Sequence, residues 1–334
     1  MTLETLVGSC LVVGLPSIFL TPEVMAHLRA IHAGGFIPFE RNFQSPDQFQ
    51  ALVEELASIV DRPPLIMVDH EGGRVIRFSS GVTRFPEAGL VGSTHTPEDV
   101  VRQGRVEAAE LRALGVHMNL APCVDVVVAG SDPVIGDRSY GRDPAHVAAM
   151  GVARIRGMQE AGLAACAKHF PGLGAVPKDP HKHLPTVTLG WSEMRATHLA
   201  PFQAAIHAGV AAVMSSHVCY PALDPSSPAT PATFSSRFIR QLLREELGFQ
   251  GLILTDDLEM GALRELCPIG EAAVRAVEAG HDVLLVCSNL RFQQDVFSAL
   301  LAAYRSGRLG VAELERTVAR IARCRQRSPV SPNP

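Results

Sequence analysis

Three strings in this chain put ionisable side chains at the ends of apolar runs. Ala164-Ala-Cys-Ala-Lys168-His169-Phe170-Pro171-Gly172 closes one run with a lysine and a histidine. Gly251-Leu-Ile-Leu-Thr255 runs directly into Asp256-Asp257. Asp179-Pro-His181-Lys-His183 stands between Pro177 and Pro185, downstream of Gly172 and Gly174, so it reads as a loop. A carboxylate two residues from a histidine can fix the ring's tautomer and support proton transfer near neutral pH. Asp256, if it lies near cations, stays ionised, because positive charge lowers a carboxyl pKa. An ionised carboxylate can serve as a nucleophile. Asp257 competes for that role, and parity along the strand does not choose between them when both strand faces are apolar. His181-x-His183 also has a ligand-like spacing, but the neighbouring strand ends offer Lys and Arg rather than further histidines, so no metal is expected.

These groups need a scaffold that gathers strand ends. Eight short apolar runs recur, at 10–15, 35–39, 65–68, 116–121, 164–167, 211–214, 252–255 and 282–286. Amphipathic stretches separate them. Residues 45–60 carry Phe49, Leu52, Val53, Leu56 and Ile59 at helical spacing. Thr96-Pro97-Glu98-Asp99 has the cap, first-turn proline and early acids of a helix start, continued through 101–114. Further helices fit 144–161, 192–207, 235–247, 271–279, 289–305 and 312–325. Gly34, Gly115, Gly162, Gly209, Gly248 and Gly280 follow helices, at the position where a left-handed residue ends the helix. Eight strand–helix alternations predict an α/β fold, a (β/α)8 barrel in one domain over 1–327. A doubly wound open sheet is the runner-up, but no GxGxxG follows the first strand.

In such a barrel, function gathers at the carboxyl ends of the strands. Those ends carry Asp69, Glu71, Arg74 and Arg77 after strand 3, and Asp125 and Arg138 after strand 4. Lys168 and His169 follow strand 5, Ser215, Ser216 and His217 strand 6, Asp256 strand 7, and Ser288 strand 8. Asp69 with Arg77, Arg138 and Lys168 is expected to form a mixed ring of acceptors and donors for hydroxyl and carbonyl oxygens.

Composition narrows the class. The chain has 334 residues, 47% hydrophobic and 19% charged, with a formal net charge of −4, which argues against a nucleic-acid partner. Seven cysteines without a CxxC pair read as buried, reduced thiols in a cytoplasmic protein. The apolar run from Leu6 to Leu20 lacks a preceding basic residue and reads as the first barrel strand rather than a signal. No segment reaches the length of a membrane span. Residues 328–334 are expected to be a disordered tail.

The strings resemble glycoside hydrolase family 3, and within it the bacterial single-domain β-N-acetylhexosaminidases of peptidoglycan recycling. The resemblance rests on Gly35-Phe-Ile-Pro-Phe-Glu-Arg41-Asn42, Val68-Asp69-His-Glu71-Gly-Gly-Arg74, Asn119-Leu-Ala-Pro122-Cys-Val-Asp125, Ile135-Gly-Asp-Arg138-Ser-Tyr, Lys168-His-Phe-Pro-Gly172, Asp179-Pro-His181, Pro228-Ala-Thr230 and Thr255-Asp256-Asp-Leu258-x-Met260, in family order. It implies that Asp256 is the nucleophile and that Asp179 and His181 form an acid/base dyad on a mobile loop. It also implies that Asp69, Arg77, Arg138, Lys168 and His169 bind the sugar. The expected activity is retaining, exo-acting release of β-linked N-acetylglucosamine from muropeptide or chitooligosaccharide ends. No metal, organic cofactor or obligate protein partner is implied. The family's second, carboxylate-bearing domain is expected to be absent, an expectation that favours the histidine as acid. Three positions depart from the family: Leu173 stands where a second histidine is usual, Pro180 intervenes where serine is usual, and His70 replaces glutamine. Alternatives are a family 3 β-glucosidase, a sugar-binding relative without activity, and a Schiff-base aldolase using Lys168.

Overall fold

The computed structural model describes residues 1–131, 134–225, 227 and 229–328. Eight parallel strands close into a barrel in sequence order. They are β1 (Leu11–Gly14), β2 (Gly35–Ile37), β3 (Leu65–Val68), β4 (Met118–Asn119), β5 (Ala164–Phe170), β6 (Ala212–Ser215), β7 (Leu252–Asp257) and β8 (Val283–Val286). Strand β1 pairs with both β2 and β8, which closes the ring. The helices are α1 (Leu3–Ser9), α2 (Pro22–Ala30), α3 (Pro46–Ile59), α4 (Ala88–Thr94), α5 (Pro97–Ala113), α6 (Pro144–Glu160), α7 (191–207), α8 (Arg237–Glu246), α9 (Gly261–Arg264), α10 (Ile269–Ala279), α11 (Leu290–Arg305) and α12 (Val311–Arg327). Helix α7 opens through a π turn, Met194–His198, and α8 is wound as a π-helix.

The helix starts are set by their caps. Thr96 accepts from Asp99 N–H, and the Asp99 carboxylate accepts from Thr96 N–H, while Pro97 fills the first turn. Ser45 does the same for α3 by accepting from Gln48 N–H. Gly115, Gly162, Gly209, Gly248 and Gly280 all have positive φ, as expected after helices. Gly34 does not. The left-handed residue after α2 is His32, with φ 50°. Gly34 is glycine because a Cβ there would lie 2.3 Å from the Ser9 carbonyl oxygen.

The core has two parts, and their alternation along the strands aims the site. Leu65 and Met67, Ala164 and Cys166, Ala212 and Met214, Leu252 and Leu254, and Val283 and Leu285 fill the barrel interior. The intervening Ile66, Val68, Ala165, Ala167, Val213, Ile253 and Leu284 pack against the helices. Two further steps along the inward rows reach Asp69, Lys168 and Asp256, because strand side chains alternate with period two.

The N-terminal run corrects one expectation. The apolar run from Leu6 is not all strand: Leu3–Ser9 is a helix capped by Thr2, and only Leu11–Gly14 joins the sheet. Ser328, expected to start the tail, is 4% exposed, and its N–H donates to the Arg325 carbonyl. Residues 329–334 and Pro228 of the Pro-Ala-Thr string lie outside the described residues. All seven cysteines are unpaired, six of them buried. Among the described residues no helix is long and apolar enough to cross a membrane.

Candidate active site

A cleft of about 940 Å³ opens at the carboxyl ends of the strands. Every residue expected to bind or react lines it: Asp69, Arg77, Arg138, Lys168, His169, Asp179, His181 and Asp256. Glu71 and Leu173 line it too, whereas Asp257 and His183 do not.

The ionic ring forms, with a different hub from the one expected. Lys168 Nζ lies 2.6 Å from Asp69 Oδ1 and 2.7 Å from Glu71 Oε1. Arg138 donates to both Glu71 oxygens at 2.8 Å. Arg77 reaches Asp69 only at 3.7 Å. So Glu71, not Asp69, gathers Arg138, a role that residue spacing does not reveal. Burial opposes the charges of Lys168 and Glu71. Asp69 and Glu71 nevertheless hold the lysine above its ordinary range, and Arg138 and Lys168 hold Glu71 well below its own. Arg77 Nε is buried and has no hydrogen-bond partner among the described residues, which leaves a donor for a ligand oxygen.

Asp256 and Asp257 part company at the end of β7. The inward row of Leu252 and Leu254 carries Asp256 into the cleft. Asp257 turns back into the scaffold, where its Oδ1 accepts from Glu259 N–H at 3.1 Å and Cys287 N–H at 3.3 Å. Burial pushes Asp257 up to about 7. Burial also acts to raise Asp256, but His169, His217 and the Asp257 N–H outweigh it, and the carboxyl falls below its ordinary value. The direction is the one expected, and the groups that lower the carboxyl most are not the lysine and arginines of the ring. The His217 ring, near Asp256, is fixed between Thr233 Oγ1 at 2.6 Å and the Asp257 carbonyl at 3.0 Å. His217 follows β6 as expected, but its link to Asp257 joins residues 40 positions apart and leaves no mark in the sequence.

Two aspartate–histidine pairs border Asp256. His181 Nδ1 lies 2.7 Å from Asp179 Oδ1, which also accepts the His181 backbone N–H at 2.9 Å. The pair is exposed, its side chains at 59% and 28%. His169 Nδ1 lies 2.7 Å from Asp125 Oδ2 and is buried, at 5% and 0%. Asp125 Oδ1 accepts the Leu173 N–H at 2.6 Å, so the departure at 173 keeps its backbone contact and turns an apolar side chain toward the cleft. Cys123 Sγ lies 3.3 Å from Asp125 Oδ2. Among the described residues, Cys123, Asp125 and His169 form the one group with ligand atoms close enough to hold an ion. It differs from the His181-x-His183 spacing considered above. Asp125 Oδ2 already takes the His169 ring, the His169 N–H and the thiol, and burial and Asp125 hold the thiol well above its ordinary range. That is a satisfied hydrogen-bond cluster.

An inward ionised carboxylate, a ring of donors and acceptors, and a histidine with one oriented nitrogen can bind a polyhydroxylated ligand and cleave an acetal. The comparisons agree with that chemistry. Residues 12–324 match the model of the glycosyl hydrolase family 3 N terminal domain. A beta-hexosaminidase from Thiobacillus denitrificans is 41% identical over 273 residues, 80% of this chain and 75% of that protein. The structure of a family 3 beta-N-acetylglucosaminidase from Paenibacillus superposes with a TM-score of 0.96 at 40% identity, over 100% of this chain and 64% of that one. NagZ from Neisseria gonorrhoeae, in complex with N-trifluoroacetyl-D-glucosamine, matches with a TM-score of 0.79 at 32% identity over 96% and 98% of the chains. With a barrel of this topology and a family model spanning nearly all its strands, this chain belongs to glycosyl hydrolase family 3 and is a glycoside hydrolase.

Proposed function

We propose that the protein is a retaining exo-β-N-acetylglucosaminidase that releases terminal N-acetylglucosamine from muropeptide or chitooligosaccharide ends. Asp256 attacks the anomeric carbon while His181, oriented by Asp179, gives its Nε2 proton to the departing glycosidic oxygen. The C–O bond to the aglycone breaks as the Asp256 ester forms. His181 then takes a proton from water, which opens the ester and frees Asp256. Asp69, Arg77, Arg138, Lys168 and His169 bind the sugar hydroxyls and the acetamide. The observation that carries this reading is that the inward Asp256 shares one cleft with an exposed histidine whose Nδ1 is already engaged by Asp179. The names of the relatives support the sugar, since two of those compared are a beta-hexosaminidase and a beta-N-acetylglucosaminidase. Seven unpaired cysteines fit a reducing compartment such as the cytoplasm. The test is a hydrolysis panel of aryl β-N-acetylglucosaminide and aryl β-glucoside, with the anomeric configuration of the first-formed product read by NMR. Retained configuration and preference for the acetamido sugar are expected. Inverted product or faster glucoside cleavage overturns the mechanism or the specificity.

A further inference from the structure

The turn that carries His181 is a closed hydrogen-bonded unit. The Asp179 carbonyl accepts from Lys182 N–H at 3.1 Å and His183 N–H at 3.2 Å, while the Asp179 carboxylate accepts from His181 N–H. Two carbonyls of this turn leave it and end on one short segment. His181 O accepts from Gly261 N–H at 3.1 Å, and Pro180 O accepts from Ala262 N–H at 3.3 Å. Gly261 lies five residues after Asp256 on the same stretch of chain. That stretch is itself fixed. Leu258 N–H donates to the Leu285 carbonyl at 3.0 Å, Met260 N–H donates to the Asp257 carbonyl at 3.1 Å, and the Asp257 carboxylate clips Glu259 and Cys287 N–H groups.

We infer that Gly261 is a positioning residue. It latches the His181 turn to the strand end that bears Asp256 and so sets the spacing between proton donor and nucleophile. The inference rests on the proton-donor reading of His181. Both N–H groups of the latch come from backbone, so the position needs close approach rather than a functional side chain. Glycine supplies it. A Cβ at 261 would lie 2.7 Å from His181 O, 3.0 Å from Lys182 O and 3.1 Å from the Lys182 carbonyl carbon. Backbone atoms on both sides cannot yield by rotamer change, so any side chain at 261 pushes the turn outward. His181 moves with it, while Asp256 and the residues of the ionic ring keep their own supports. Misplacing a reacting group by about 1 Å costs on the order of 10²-fold in rate.

The experiment compares Gly261→Ala, His181→Ala and the parent enzyme on a natural disaccharide and on a nitrophenyl glycoside. Exchange of the backbone amides of residues 261 and 262, which make the latch bonds, is read alongside. Gly261→Ala is expected to lower kcat on the disaccharide by about 10²-fold and on the nitrophenyl substrate several-fold at most, with KM little changed. Faster exchange at the two amides is expected with it. A latch with no catalytic consequence would leave the ratio of the two substrates at the parental value, and that result overturns the inference. So does unchanged amide protection. If His181→Ala shows no leaving-group dependence, it is the proton-donor reading that fails, and the latch is then judged on the exchange data alone. Should Gly261→Ala not fold, Ala262→Pro removes the donor to Pro180 O within the first turn of α9, where N–H groups have no intrahelical partner. It is expected to shift the ratio in the same direction by less, and an unshifted ratio in a folded Ala262→Pro protein counts against the latch.

Discussion

Asp125–His169 and Asp179–His181 make the same contact, Nδ1 to a carboxylate oxygen at 2.7 Å, in opposite surroundings. In the buried pair every position is taken. Asp125 receives the ring, two backbone N–H groups and a thiol, and His169 Nε2 faces Arg138 Nη2 at 3.3 Å. Both ring nitrogens of His169 therefore have a protein neighbour. In the exposed pair the carboxylate likewise orients Nδ1, but His181 Nε2 has no partner among the described residues. A histidine moves protons when one nitrogen is oriented and the other is open to the substrate. The buried pair is therefore suited to support the cleft wall, and the exposed pair has the open nitrogen that proton transfer needs. Only their environments distinguish them.

The largest expected effect falls on the carboxylate that both pairs flank. Asp256→Ala should lose at least about 10⁴-fold in kcat with its far-UV spectrum intact, as removal of a covalent nucleophile does. Asp257→Ala should retain far more activity, because its carboxylate faces backbone N–H groups and not the cleft. A dead Asp257→Ala beside an active Asp256→Ala would move the nucleophile by one residue and undo the inward-row assignment.

The next effect separates the two histidines by substrate. His181→Ala should slow disaccharide cleavage by about 10²- to 10⁴-fold and spare a nitrophenyl glycoside, whose leaving group departs unaided. It should accumulate the glycosyl-enzyme on the aryl substrate and be rescued by azide. Asp179→Ala should show a milder form, and His183→Ala should be close to the parent. His169→Ala should lose on both substrates alike and gain nothing from azide. Leaving-group dependence and azide rescue in His169→Ala would exchange the roles of the pairs.

Much of this was legible in the sequence, and the gaps have physical causes. Eight apolar runs with glycines after the helices were enough for the barrel, since each run had to be buried on both faces. The same double burial hid the choice between Asp256 and Asp257. Helix α1 was hidden because only Gly8, Ser9 and Cys10 separate Leu6 and Val7 from the apolar β1, and α4 because Ala88–Thr94 is rich in glycine, serine and threonine. The strand ends gave the expected cleft residues. Glu71 was on the same string as Asp69, yet nothing in spacing says that an arginine 67 residues away will fork onto it. The buried state of Asp125–His169 was also out of reach, because the two residues meet across 44 positions. The latch at Gly261 is made by backbone atoms and leaves only a glycine in the sequence.

Stability should separate the pairs in the opposite sense to leaving-group dependence. Asp125→Ala strips a buried acceptor and leaves the His169 and Leu173 N–H groups without partners. A loss of about 3 kcal/mol is expected, within the range for breaking a buried charged contact. Asp179→Ala removes an exposed contact and should change unfolding by less than about 1 kcal/mol. Urea titrations of the two variants check this, and equal losses would mean that the loop pair is as much a part of the scaffold as the strand pair.

The smallest expected effect concerns metal. Cys123, Asp125 and His169 have ligand atoms within 4.8 Å of one another, so the buried pair could be read as two ligands of an ion rather than as a hydrogen-bonded support. Binding there would require the thiol to give up a proton that burial and Asp125 hold tightly. It would also take Asp125 Oδ2 from three donors it already satisfies. Both steps oppose binding, so EDTA should leave hydrolysis unchanged, and Cys123→Ser, which keeps a donor toward Asp125, should stay within about twofold of the parent. Loss of activity in EDTA with recovery on added zinc would recast the buried pair as ligands. Recovery that fails in Cys123→Ser would locate the ion there, and recovery that fails only in His181→Ala would locate it on the exposed pair and remove its claim to proton transfer.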